Sequence, residues 1–117
     1  MIRTAIHLGG NMKYGYLYLI GSITHGWCKV GISKNPLKRY KNLCAGLPFP
    51  LSLWDVRRTP SMEHARVLEK QVHFFFDEAR LNGEWFDSDQ FDLGTYFRQV
   101  NRYPNAFVGK NALKELR

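Results

Sequence analysis

Two short runs of β-forming residues, joined by a glycine-bounded turn, constrain the fold of this chain more than any other feature. The runs are residues 16–20 and residues 27–32, with a loop near Gly21 to Gly26 between them. Aromatic and β-branched residues favour strands, so the pair predicts an antiparallel hairpin. Because side chains alternate along a strand, one face of this hairpin can be core while the other carries function.

A short basic helix is predicted directly after the hairpin. Asn35 suits the N-cap and Pro36 the first helical position, and apolar residues follow at helical spacing. The exposed sides of this helix would carry the charges of Lys38, Arg39 and Lys41.

The rest of the chain predicts one more strand and two more helices. Residues 51–56 alternate as a third strand, which Arg57 and Arg58 would end. A long helix opens at Ser61 with an apolar stripe and would end at residues 82–83. A last helix, capped by Asp87 or Ser88, would end near residues 103–104. We therefore expect an α/β (α+β) fold, a small three-stranded antiparallel sheet flanked by helices.

Length and charge limit the possible functions. The chain has 117 residues, enough for one modest core, and we divide it into an N-terminal extension (1–13), a domain (14–103) and a C-terminal tail (104–117). Its 17 Lys and Arg against 10 Asp and Glu give a net charge of +7, which favours a polyanionic partner. A ribosome-associated or membrane-surface protein would share this charge.

Targeting and cysteine patterns exclude several classes. No apolar run approaches the roughly 20 residues of a membrane span, and the N-terminus is too polar for a secretory signal, so we expect a cytoplasmic protein without a membrane partner. Cys28 and Cys44 lack the spacing of a zinc site or a disulfide framework. We expect them to be reduced packing cysteines.

The order of several short motifs resembles the GIY-YIG endonuclease superfamily. Residues 16–18 (Tyr-Leu-Tyr) stand where that family has Gly-Ile-Tyr, and residues 29–31 (Lys-Val-Gly) stand where it has Tyr-Ile-Gly. The Lys-Val/Ile-Gly form is similar to a branch found in phage and bacterial proteins. Residues 47–51, 68–73 and 83–86 (Gly-Glu-Trp-Phe) resemble later signatures of that branch. The resemblance covers roughly residues 14–89 and implies a GIY-YIG-like nuclease domain.

The resemblance implies a set of catalytic residues. Glu69 would hold a single Mg²⁺ or Mn²⁺, since such ions take one or two carboxylates and keep several waters. The residues alone favour an exposed surface charge paired with Arg66 or Lys70, and the resemblance reverses that preference. Arg39 would stabilise phosphoryl charge and Tyr18 would orient the attacking water. Lys29 replaces the usual tyrosine and would act either as general base or as a phosphate contact. His73, one helical turn after Glu69, could orient it, touch phosphate or assist proton transfer.

These residues predict a metal-dependent endonuclease that hydrolyses DNA, double- or single-stranded. Phosphate contacts would come from five further basic residues, namely Lys34, Lys38, Lys41, Arg57 and Arg58. One departure weakens the transfer of the full catalytic set, because Leu43 stands where many superfamily members have a polar residue. Two alternatives therefore stay open. The first is a non-catalytic module that binds nucleic acid, a protein partner or a fused domain, and the second is a nuclease directed at RNA.

Overall fold

The computed structural model describes residues 13–106, which form a mixed α+β domain. Within that range the elements follow in the order β1 (Gly15–Ser22), β2 (Trp27–Ser33), α1 (Pro36–Ala45), β3 (Ser52–Thr59), α2 (Met62–Phe75), a 3₁₀ turn (Asp77–Ala79), β4 (Arg80–Asn82), β5 (Trp85–Asp87) and α3 (Leu93–Val100). The predicted hairpin and the basic helix after it are both present.

The described strands form a single five-stranded antiparallel sheet in the order β3-β1-β2-β5-β4. The predicted three-stranded sheet is therefore wrong in strand number. Strands β4 and β5 have three residues each, too few to show the alternation by which a strand is recognised. Asn82 and Gly83 were predicted to end a helix. Asn82 instead ends β4, and Gly83 begins the turn to β5 with the positive φ (57°) that this turn needs.

Two of the three predicted helix starts are confirmed. Asn35 Oδ1 accepts a hydrogen bond from the Lys38 amide (3.1 Å), so the first predicted cap is confirmed. Ser61 Oγ likewise accepts from the His64 amide (3.2 Å) at the start of α2. The last helix begins later than predicted, because its cap is Asp92 and residues 85–87 belong to β5.

The sheet separates two cores. On one face the aromatic side chains of β1, Tyr16 and Tyr18, are buried with Ile20 and with Tyr40 of α1. On the opposite face lie the alternate residues of β1 and β2, covered by α2 and α3; these include Leu17, Leu19, Cys28, Val30, Leu68, Val72, Tyr96 and Val100. Cys28 thus packs in a core, as predicted. The face under α1 is the one that carries the candidate site.

A buried ion pair holds the end of the described chain against β3. Arg57 is only 7% exposed, and it donates from Nε to Asp55 Oδ2 (2.8 Å) and from a guanidinium nitrogen to the Tyr103 carbonyl (2.9 Å). Asp55 also accepts hydrogen bonds from the side chains of Tyr96 (2.8 Å) and Asn105 (2.8 Å). The prediction that Arg57 ends the third strand is wrong, because a charge with these partners can sit inside it.

Most of the predicted N-terminal extension and C-terminal tail, residues 1–12 and 107–117, lies outside the described residues. Residues 104–106 continue along β3, since the Arg58 amide donates to the Pro104 carbonyl (3.1 Å) and the Ala106 amide to the Val56 carbonyl (2.8 Å). In the described range, none of the helices has the length and apolar character needed to span a membrane.

Candidate functional site

A tyrosine and an arginine form the first pair of the candidate site. Tyr18 lies on the buried face of β1, and its hydroxyl hydrogen-bonds with the guanidinium of Arg39, an exposed residue of α1. Burial raises the pKa of Tyr18, an effect that the guanidinium opposes. The phenol therefore stays protonated near neutral pH. It can orient a ligand, but it is not a proton acceptor in that range.

Two carboxyl groups form the second pair. Glu69 comes from α2 and Glu84 from the turn between β4 and β5, and the two side chains interact directly. The pKa of Glu69 is raised to about 7, first because its carboxyl is buried and then because the neighbouring Glu84 repels its charge and accepts a hydrogen bond from its protonated form. Two carboxyls in contact are stable here only when one keeps its proton.

One oxygen of Glu69 accepts no hydrogen bond, so it lacks a partner whenever the carboxyl pair has lost the proton that it shares. Its Oε2 atom is fully buried and accepts no hydrogen bond from any residue between 13 and 106. A buried polar atom without a partner is costly and is expected to have a ligand or a function. The carboxyl pair lies near the first pair, since the charges of both Glu69 and Glu84 act on the Tyr18 hydroxyl.

Lys29 links the carboxyl pair to the sheet. It is 6% exposed, lies on the same face of the sheet as Tyr18, and forms an ion pair with Glu84. Its Nζ atom also lies 5.8 Å from the ring centre of Trp85. The structure therefore places a buried ammonium donor on Glu84, where the sequence suggested either a base or a phosphate contact.

His73 holds α2, the helix that carries Glu69, against the sheet. Its Nε2 atom donates to the Val30 carbonyl (2.9 Å), and its ring packs edge-on against Phe86 (5.1 Å between ring centres). Burial lowers the pKa of His73, so the ring is neutral near pH 7. These contacts fix α2 to the edge of β2, one helical turn from Glu69, and thereby hold that carboxyl in place.

The five predicted phosphate contacts fall into two groups. Lys34, Lys38 and Lys41 are exposed, and the last two line a shallow groove along α1. Arg57 is not available, because its guanidinium is buried on Asp55 on the opposite face. Arg58 is half-buried and lies over the ring of Tyr14 (4.7 Å to the ring centre) on the α1 face.

Glu84 was not among the site residues predicted from the sequence. The Gly-Glu-Trp-Phe stretch entered only as a motif of the resemblance, and in the structure Trp85 and Phe86 join β5 to β2. Their neighbour Glu84 nevertheless meets Glu69, 15 residues earlier in the chain, through a hairpin too short to be recognised in the sequence. An acidic residue between a glycine and an aromatic strand was the available signal.

The described residues include two adjacent carboxyl groups that could hold a divalent cation, Glu69 and Glu84. Within residues 13–106, no group of three or more His, Cys, Asp or Glu side chains could hold a metal ion. Zinc needs three or four such ligands, whereas Mg²⁺ and Mn²⁺ accept one or two carboxylates together with waters and phosphate oxygens. Glu69, with its unpartnered oxygen, and the adjacent Glu84 supply that smaller set.

Comparison with known proteins identifies one family. The family model that matches is that of the T5orf172 domain, over residues 15–103. The assignment to the GIY-YIG superfamily is corrected accordingly, because the short motifs that suggested it consist of common strand and helix residues and do not identify a family by themselves. The match suggests a nuclease-like or DNA-binding module. No curated protein and no solved structure matches the chain.

Proposed function

The chain belongs to the T5orf172 domain family, and on this premise we propose that it hydrolyses phosphodiester bonds of DNA with one divalent cation, Mg²⁺ or Mn²⁺. The observation that carries the proposal is the buried, unpartnered Oε2 atom of Glu69 beside the Tyr18–Arg39 pair. Hydrolysis needs a cation for the phosphate oxygens and a positive group for the charge that develops at phosphorus. Glu69 would supply the first requirement and Arg39 the second.

Glu69 would hold the cation, and Glu84 would be a second carboxylate beside it. When bound, the ion would polarise a phosphoryl oxygen and lower the pKa of a bound water. The proton that the carboxyl pair shares near neutral pH would leave when the pair takes up a cation.

Arg39 would bind the phosphate. It is exposed on the outside of α1, while its hydrogen bond with Tyr18 fixes its direction. A guanidinium offers two parallel donors to phosphate oxygens, so it both positions the ester and stabilises its developing charge. The exposed Lys38 and Lys41 on the same helix would contact flanking phosphates.

Proton handling falls to Lys29 rather than Tyr18. Because the pKa of Tyr18 is raised by burial, its phenol remains a donor and would orient the attacking water or an ester oxygen. Lys29 is bound to Glu84 as an ammonium, so it would first have to give up a proton before it could accept one from the attacking water. Proton transfer at Lys29 would therefore depend on the position of Glu84.

The test is cleavage of plasmid and single-stranded DNA with Mg²⁺ or Mn²⁺ by the native protein and by Glu69→Gln. We expect metal-dependent cleavage that falls at least a hundredfold in the variant, since a cation clamp contributes several kcal/mol. Glu63→Gln is the matched control, because Glu63 is an exposed carboxylate on the same helix. Cleavage that survives Glu69→Gln would refute the metal site. Binding without cleavage at any metal would favour a non-catalytic module, and cleavage of RNA alone would refute the DNA substrate.

A further inference from the structure

Four rings form a continuous surface beside the candidate site, which we call the aromatic platform: His25, Trp27, Phe49 and Trp85. His25 stacks on Phe49 with 3.9 Å between ring centres and 24° between ring planes. Trp27 contacts both of them, at 5.3 Å and 5.5 Å, and meets Trp85 edge-on at 6.5 Å. The platform joins three separate segments of the chain.

The platform borders an open groove. Trp27 is 38% exposed, which is unusual for a ring of its size in a sheet, and the other three rings are half-buried or exposed. The groove has a volume of about 400 Å³ and is lined by Trp27, Leu47, Leu81, Asn82 and Trp85. That volume lies within the range of ligand-binding pockets. Exposed rings around such a groove indicate a binding surface rather than a core.

The platform is continuous with the carboxyl pair. Trp27 and Lys29 lie two residues apart on one face of β2, and Lys29 is the register partner of Trp85. Lys29 Nζ lies near the Trp85 ring and pairs with Glu84, the residue that precedes Trp85. A strand whose phosphate lay at Glu69 would therefore carry its neighbouring bases past these rings.

We infer that the aromatic platform stacks the unpaired bases of single-stranded DNA whose phosphate occupies the Glu69 site. The inference rests on the proposed function for the position of that phosphate. Flat rings bind the faces of bases and tolerate any sequence, while the exposed Lys38 and Lys41 would follow the backbone. Bases in a duplex have their faces covered by stacking, so they reach such rings only after leaving the helix. Single strands, or unpaired segments in a duplex, are thus the substrate class.

Binding in a protein that cannot cleave isolates this inference from the proposed function. All proteins in this experiment carry Glu69→Gln, and binding is measured in EDTA by fluorescence anisotropy. The probes are a labelled DNA strand, the duplex that contains it and the equivalent RNA strand. We expect Trp27→Ala to weaken single-strand binding about fivefold to a hundredfold, the range for loss of one stacked base. Duplex binding should change less than twofold. Trp27→Phe should retain most single-strand affinity, because it keeps an aromatic face.

Phe74→Ala is the matched control, since Phe74 is 81% exposed on α2, the helix that covers the opposite face of the sheet. It should leave all three affinities unchanged. If Trp27→Ala lowers the melting temperature markedly, His25→Ala, at an exposed turn residue, replaces it with the same expected selectivity. Equal loss for strand and duplex, no loss for the strand, or tighter binding of RNA than DNA would overturn the inference. A native protein that never cleaves, yet shows the strand selectivity, would overturn only the proposed function.

Discussion

The phenol ring of Tyr18 lies directly over Gly31, its partner across the β1–β2 pair. A β-carbon at position 31 would come within 2.3 Å of the Tyr18 hydroxyl and 2.5 Å of the ring. Because Gly31 has no side chain, the Tyr18 ring has room to lie over it, and the hydroxyl can reach Arg39. A small change in β2 should consequently act on the site through Tyr18.

Gly31→Ala should reduce DNA cleavage at least tenfold, because the ring must move and its hydrogen bond with Arg39 breaks. Gly46→Ala is the control, since a β-carbon there would meet nothing closer than 3.8 Å. Cleavage rates for both variants, measured with circular dichroism to verify folding, check this prediction. Equal activity of the two variants would show that the position of Tyr18 is unimportant.

Metal-free Glu69→Gln should melt at a higher temperature than the native protein at pH 8, and the difference should shrink toward pH 5. The pKa of Glu69 is about 7 in the folded protein and 4.5 in the unfolded chain, so the folded state holds more protons between these values. Stability from this carboxyl is therefore present below about pH 4.5 and is lost as pH rises to about 7. Thermal melts in EDTA at pH 5 and pH 8 measure this difference in melting temperature. Glu63→Gln is the control, and its difference from the native protein should be the same at both pH values. A difference that grew on acidification would contradict the raised pKa.

Arg57→Ala should destabilise the fold by about 3–5 kcal/mol, the cost of leaving one partner of a buried ion pair alone. Asp55 would lose its ion-pair partner in a core that it shares with Tyr96. Arg58→Ala, one position along β3, removes only a cation–π contact with Tyr14 and should cost about 1 kcal/mol or less. Urea unfolding of the two variants makes the comparison. Similar losses would mean that the ion pair contributes little.

Tyr18→Phe should lower cleavage less than Lys29→Met does. The phenol only orients a ligand, so we expect a loss of about tenfold, whereas the amine handles a proton, a role worth about 10²- to 10⁴-fold. Because Lys29 is buried on Glu84, the methionine variant must first be shown to fold by its melting curve. A greater loss for Tyr18→Phe would reverse the two roles.

The sequence predicted the local features well and the long-range ones poorly. The hairpin, the caps at Asn35 and Ser61 and the stripe of α2 depend on neighbouring residues, and all of them are present. Strands β4 and β5 are too short to show the alternation of apolar and polar residues. Asn82 and Gly83 were predicted to end a helix, so the turn between these two strands was not recognised.

The site shows the same division. Tyr18, Lys29, Arg39 and Glu69 were named from motifs, and pairwise interactions connect them in the structure, whereas Glu84 joined them only through the unrecognised hairpin. Arg57 was assigned to phosphate because its partners, Asp55 and Tyr103, cannot be identified as partners from sequence. Charge shows that a side chain needs a partner, but the fold decides which one.

Anomalous scattering from a crystal grown with Mn²⁺ tests the central claim most directly. We predict a peak at metal–oxygen bonding distance from Glu69 Oε2. The same experiment on Glu69→Gln should show no peak there. A cation bound elsewhere in a protein that cleaves DNA, with Oε2 of Glu69 still unpartnered, would contradict the account.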